Sequence, residues 1–467
     1  MRYLPSLFLI ALTACAHFHP TLPEPELPIA WKELVPTDGY FEEKNRFWEL
    51  FNDPLLNELE EEAIAQNLDL QAAYYRIFAA RSQVMREHSN RLPQIGLSSL
   101  FTDNETLLNP PSFGSPIKKL TRVEQQQYSL FADFSYELDL WGKLKSREES
   151  AFYDMQASLW EYDFVYQTIV TEIALHYFRL RTIEEEIRFL RQAVAIRRDA
   201  VGINQCRVEG GLDPEVDLTR SELELALAEG SLEQAKREYA LYEHSLATLL
   251  GKPASCWSLA QGRLPETIPS LPEVLPSEIL IRRADIQKSW AVVAAGRANV
   301  DAELKNYFPS FSLTTALGLA SPFVTNLFQW QARYWEYAFA AIFPLFDGGR
   351  RDANVLLAKT QFLENFNTYK KTINLAFQDV EDALSTLHHT GLQYEAQKRA
   401  LEAATDTSYL AKDQFDTGLI SYLLVADAEK TVLDVERRAI LLKGEKILAW
   451  VRLIKALGVQ RVPLEDS

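Results

Sequence analysis

Between Tyr128 and Leu140 the chain alternates strictly. Tyr128, Leu130, Ala132, Phe134, Tyr136, Leu138 and Leu140 hold one set of positions, and Ser129, Asp133, Ser135, Glu137 and Asp139 hold the other. Only Phe131 interrupts the polar set. A period of two predicts a strand with one apolar and one wet face. The strand is longer than the usual five or six residues, and about 10 residues take a tilted strand across a bilayer. Trp141-Gly142 ends it, and Lys143 opens a run of 59 residues without Gly or Pro. There Val165, Ile169, Ile173, Tyr177, Leu180, Ile183, Ile187, Leu190 and Val194 recur at spacings of three and four, the seam of an amphipathic helix. At 1.5 Å per residue the run spans about 89 Å. A helix of that length does not pack alone, so coiled-coil packing against sister helices is implied.

The same signals divide the rest of the chain. Phe47 to Pro54 opens a helical region, with Asp53 as cap and Pro54 in the first turn, running to about His88. After Pro93, Ile95, Leu97 and Phe101 predict a strand over about 94–101, followed by a polar loop over 102–127 and the strand at 128–140. A helical hairpin covers 143–250, broken at Gly202, Gly210 and Gly211 and restarted at Asp213-Pro214-Glu215, so the first structural unit is 46–251. A proline-rich connector fills 252–275. A second unit, 276–458, repeats the plan, with strands at about 310–320 and 334–346 and a hairpin at 350–457; 459–467 is a tail. Gly142 and Gly349, Gly211 and Gly418, and Gly251 and Gly458 all share one offset, 207 positions. Pro93 and Pro309 lie 216 apart, so the first loop is longer by about nine residues. Four membrane-grade strands cannot close a barrel, because eight is about the minimum. The chain must therefore oligomerise to be stable in lipid.

Composition narrows the classes. No stretch approaches the roughly 18 consecutive apolar residues of a spanning helix. A net charge of −17 argues against nucleic acid as a partner. The N-terminus, with Arg2 and an apolar Leu4–Leu12, has the form of a signal peptide over 1–14. Leu12-Thr13-Ala14-Cys15 resembles a bacterial lipobox, which implies a lipid on Cys15 and a tether over 15–45; the alternative is an ordinary signal peptide with a chance cysteine. Ala16 is similar to the outer-membrane-sorted class. Cys206 and Cys256 flank a predicted helix about 55 Å long, so both are expected to be free. Glu184–Glu186 with Arg181, Arg188 and Arg191 reads as a solvated, paired helix face. No nucleophile elbow, phosphate loop or metal cluster is present, and adjacent His388 and His389 are expected to point apart. No enzyme and no cofactor are expected.

Five motifs in order carry a resemblance: Phe51-Asn52-Asp53-Pro54-Leu55; Tyr136 to Lys143; Leu275-Pro276-Ser277 through Arg282-Arg283-Ala284-Asp285-Ile286; Phe308 to Leu313; and Phe346-Asp347-Gly348-Gly349-Arg350. The chain resembles the TolC-type outer-membrane factors of tripartite efflux and secretion systems, most of all their lipoprotein branch. The resemblance implies an α+β membrane protein: each protomer gives four strands to a trimeric 12-stranded outer-membrane β-barrel, continuous with a long α-helical periplasmic coiled-coil barrel. It implies a homotrimer that works with a periplasmic adaptor protein and an inner-membrane pump, as the exit duct for small molecules. The alternatives are a type I protein-secretion or metal-ion efflux duct, and, remotely, a structural coiled-coil lipoprotein with no pore.

The resemblance also implies site residues. Leu423, Asp427 and Asp217 match places held in related channels by the periplasmic gate. Gly210, Gly211, Gly418 and Leu419 are the hairpin tips expected to meet the adaptor. A helix-surface acid is the bland reading for both aspartates; three symmetry-related carboxylates on one axis would repel and bind cations. Gln414 and Phe415 stand where the family often has Arg and Tyr, which puts a salt-bridged lock in doubt. Asp133, Ser135, Glu137 and Asp139 are expected to face the barrel lumen.

Overall fold

The computed structural model describes residues 18, 20, 31–32, 46–108, 121–212, 214–269 and 283–458. The signal segment, Cys15, most of the tether, Asp213, Leu275-Pro276-Ser277 and the tail 459–467 lie outside the described residues. After a 3-10 turn at Phe47–Phe51 come α1 (Pro54–Gln66), α2 (Leu68–Ser89), β1 (Gln94–Leu108), β2 (Thr121–Leu138), α3 (Lys143–Glu209) and α4 (Glu215–Leu249). Then follow α5 (Ala284–Lys305), β3 (Ser310–Ser321), β4 (Arg333–Ile342), α6 (Arg350–Asp416) and α7 (Tyr422–Leu457). Among the described residues no helix is long and apolar enough to cross a membrane. The chain divides into two compact units: Met1–Pro23, Ile77–Ala157 and Ser289–Thr368 in one; Glu24–Arg76, Ser158–Lys288 and Tyr369–Ser467 in the other.

The first unit holds one antiparallel sheet in the order β1-β2-β3-β4. Its register sorts the side chains by face, because directly paired residues project to the same side. On one face Ile95 and Leu97 pair with Phe134 and Ala132, which pair with Thr315 and Leu317, which pair with Tyr337 and Trp335. The other face carries Ser98, Asp133, Ser135, Ser312, Thr314 and Glu336. Trp335, Tyr337 and Phe339 are 67%, 70% and 64% exposed on the apolar face. Among the described residues the outer strands β1 and β4 each keep one edge unpaired.

Boundaries differ from the expected ones for physical reasons. β1 and β2 extend through 102–108 and 121–127, which the polar composition assigned to a loop. Backbone pairing needs no hydrophobic alternation, so a two-sided polar hairpin can outrun the apolar band. β2 stops at Leu138, not Leu140, because the Asp139 carboxylate accepts from the Lys145 backbone N–H at 2.8 Å and caps α3. β4 ends at Ile342 rather than near 346, two residues before Pro344 removes a donor. Between helix and sheet, Trp141 stacks on Phe308 at 5.0 Å and donates to the Pro309 carbonyl at 2.7 Å. The Lys305 ammonium donates to the Ser146 hydroxyl at 2.7 Å. Glu148 receives both His88, at 2.7 Å, and Arg91. Partial burial pushes the Glu148 carboxyl up, but Arg91 and His88 outweigh it and hold the group below its ordinary range.

The second unit is helical around a buried aromatic cluster. Phe51 meets Phe178 at 4.5 Å and Trp450 at 5.1 Å, and Phe47 packs on Trp48 at 5.4 Å. The motif after Phe51 is explained locally. Asn52 takes φ 51, Asp53 accepts from the Leu55 and Leu56 N–H groups, and Pro54 begins α1. Tyr177 donates to the other oxygen of Asp53, and burial followed by that carboxylate pushes its phenol pKa up. The predicted α3 seam is buried at Ile169, Ile173, Tyr177, Leu180, Ile183, Ile187, Leu190 and Val194, while Val165 is half-buried. Arg283 bridges Asp285 at 2.8 Å and Asp379 at 3.0 Å and donates to the Ala456 carbonyl.

Three expectations in this unit are corrected. Gly202 does not break α3, which continues to Glu209; the exposed glycine has open space around it and costs only propensity. The helix expected from Phe47 to about His88 is interrupted at Asn67, whose side chain accepts from the Leu70 N–H and donates to the Leu249 carbonyl. The Glu184–Glu186 face is not simply solvated. Arg181 is 0% exposed, donates to Glu184 at 2.6 Å and lies over the Tyr177 ring, while Glu186 is buried against Arg437 at 2.7 Å. Gly262 packs directly on this group: a Cβ at 262 would sit 2.5 Å from the Arg181 guanidinium carbon, so a larger residue would displace the buried cation.

Candidate functional site at the helical hairpin ends

Each hairpin turns by the same chemistry. Gly211 has φ 68, its N–H donates to the Val208 carbonyl, and the Leu212 N–H reaches back to Arg207 at 2.8 Å. Gly418 has φ 79, its N–H donates to Phe415, and the Leu419 N–H reaches Gln414 at 2.9 Å. This paired return closes a helix and needs a left-handed residue, which glycine supplies without a Cβ penalty. Gly210 keeps a helical hydrogen bond to Cys206, so the turn itself is made at Gly211. Pro214 stands just before α4 as its cap position rather than inside the first turn. Gly210, Gly211, Gly418 and Leu419 are all exposed.

Behind these turns lies a cleft of about 240 Å³ between α3, α4, α6 and α7. Asp217 and Leu423 both line it, together with Arg197, Arg220, Glu224, Glu429 and Lys430. Asp217 is half-buried in the first turn of α4, where a carboxylate complements the positive helix end. Its carbonyl accepts from Ser221, whose hydroxyl accepts from the buried Asn204 at 2.5 Å. Leu423 is 44% exposed. Asp427 is exposed on α7 one turn beyond Leu423 and is not part of the cleft lining. Of the three gate candidates, one chain brings two to a shared cleft and leaves the third on a helix surface. Gln414 is exposed, and both Gln414 and Phe415 serve the turn through their backbone carbonyls.

The basic and acidic cleft residues escaped the sequence reading, although Arg220 and Glu224 stand four apart and pair at 3.7 Å. Cys206 and Cys256 are free and exposed. His388 and His389 do not point apart: their rings meet edge to face at 5.2 Å. Among the described residues no group of three or more His, Cys, Asp or Glu is placed to hold a metal.

An exposed apolar sheet face of this extent marks a surface that meets a membrane or another protein. The outer membrane efflux protein family matches residues 59–252 and 275–459, and the chain belongs to that family. It is similar to the probable outer membrane lipoprotein SilC of Salmonella typhimurium, 27% identical with 96% of each chain covered. It is also similar to the cation efflux system protein CusC of Escherichia coli K12, 27% identical over 98% of this chain and 99% of the relative. The fold matches the outer-membrane channel OprN with a TM-score of 0.87 at 23% identity, covering 96% of this chain and 99% of that one. The protein is thus an outer-membrane efflux channel component with no enzymatic role.

Proposed function

We propose that three copies of this chain close a 12-stranded barrel and form the gated exit duct of a tripartite efflux pump for small molecules. The observation that carries this is the open four-stranded sheet with one apolar face. Unpaired edge groups cannot stay in hydrocarbon, so the β4 edge of one copy must meet the β1 edge of the next. The polar face then lines the lumen, with Asp133, Ser135 and Glu137 toward water. The two halves follow one duplicated plan. In support, α2 and α5 are each 22 residues long, and α3 and α6 are each 67 residues long. The lipid on Cys15 tethers the assembly; the likeness to a lipoprotein supports it.

The hairpin ends form the periplasmic gate and the adaptor-facing surface, with the inner-membrane pump acting through that adaptor. Asp217, Leu423 and Asp427 are its constriction residues. Full-length protein in planar bilayers tests this reading. The account expects small, brief conductance steps, and larger, longer ones for Asp217→Ala with Asp427→Ala. No conductance from either would leave the structural, pore-free reading. A metal-ion cargo is the second reading, favoured by the likeness to a cation efflux protein. Gene deletion with side-by-side sensitivity to organic toxicants and to metal salts separates the two.

A further inference from the structure

Phe131 is the apolar residue that interrupts the wet side of β2, and the sheet gives it a partner. The register sets Phe131 opposite Gly318, and Gly318 opposite Tyr334. Both rings therefore rise from the polar face, one on each side of a glycine. They meet above it with centroids 5.1 Å apart and planes at 46°. A side chain at 318 is excluded, since its Cβ would lie 1.9 Å from the Leu130 carbonyl oxygen. One rung nearer the helices the same face carries Asp133, Ala316 and Glu336 in a row. Asp133 accepts from Ser98, and Glu336 accepts from the Tyr334 hydroxyl. Tyr334 and Glu336 are exposed.

We infer that this two-rung patch is a binding station for planar aromatic cations on their way out of the duct. A flat ring lies against Phe131 and Tyr334, and its positive charge faces Asp133 and Glu336. Ala316, between Asp133 and Glu336, adds only a methyl group beside the two rings. Ring faces attract cations, the more so when water is displaced, and two carboxylates in a narrow lumen raise the local cation concentration. The inference rests on the proposed duct, which turns the polar face inward and repeats the patch three times around the axis. The competing role for the rings is structural: aromatics that cover a strand glycine stabilise a sheet.

The test uses the full-length assembly in planar bilayers with ethidium, a planar aromatic cation. Tetraethylammonium supplies charge without a ring, and naphthalene-1-sulfonate supplies a ring with the opposite charge. Ethidium is expected to block the open channel at lower concentration than either. Phe131→Leu with Tyr334→Leu keeps Gly318 covered and is expected to raise the half-blocking concentration about tenfold. Asp133→Asn with Glu336→Gln leaves both rings in place and is expected to raise it as well. Unchanged ethidium block in the carboxylate variant, or equal block by all three probes, overturns the station. A preparation that never conducts defeats the duct itself, so the two failures are distinct.

Discussion

The two compact units use aromatic residues in opposite ways. In the helical unit Trp48, Trp450 and Phe178 are 0%, 1% and 0% exposed and form the core. In the sheet unit Trp335, Tyr337 and Phe339 stand out from the surface at roughly two-thirds exposure, with Trp335 stacked on Tyr337 at 5.6 Å. The hydrophobic effect that hides the first set in water would hide the second set too. The second arrangement suits a solvent that is itself apolar, as the proposed barrel would give it. The difference teaches that the two units bury their aromatic residues by different rules, which the proposed barrel explains by giving the sheet a second, apolar solvent.

The largest effect should come from violating the sheet's solvent. Trp335→Lys with Tyr337→Lys places charge on the proposed lipid-facing band, at a cost of up to about 2–4 kcal/mol per residue near the midplane. Loss of the membrane-inserted oligomer, read by detergent extraction and native gel, is expected. Trp450→Ala should instead cost about 3–5 kcal/mol as a core cavity. Its signature is a lower melting temperature, with membrane partition retained. If both variants behaved alike, the two-solvent distinction would fail.

Tight packing in the helical unit gives the next effect. A Cβ on Gly444 would lie 2.1 Å from the Thr182 hydroxyl, where α7 meets α3. Gly444→Ala should destabilise by about 1–3 kcal/mol, and adding Thr182→Ala should recover most of it in a thermal melt. Glu60 then sharpens the contrast from inside. It is fully buried on α1, and among the described residues neither carboxylate oxygen has a hydrogen-bond partner. Burial holds its pKa well above the ordinary 4.5. The unfolded chain ionises it first, so its contribution to stability falls as pH rises above about 4.5. Glu60→Met should raise the melting temperature at pH 7, by an amount corresponding to about 1–3 kcal/mol, and the gain should vanish in acid.

Glu148 should show the opposite sign and a smaller effect. Its folded pKa lies below 4.5, so the tie to Arg91 and His88 is present above that pH and is lost as pH falls through the folded value. A Glu148→Gln variant should lose stability at pH 7 and match the parent in strong acid, as read by melts across pH 3–7.

Much of this was legible in the chain. Alternation marked the apolar face, and Gly142, Gly211, Gly251, Gly349, Gly418 and Gly458 all take positive φ, where the 207-residue spacing placed landmarks. What stayed hidden was set by distant partners. Arg181 reads as a solvated cation until Gly262 closes over it. The polar hairpin extension of β1 and β2 is held by backbone bonds that leave no trace in hydropathy. The Asp217–Leu423 cleft joins helices about two hundred residues apart, and local periodicity does not report such pairs. Phe131 was visible as an irregularity, but its partner Tyr334 emerged only from the register through Gly318.

Native mass measurement of the detergent-extracted full-length protein tests the central claim most directly. The account predicts a species of three chains, with folded single chains absent. A population of single chains that keep their sheet, by infrared or circular dichroism, would contradict it.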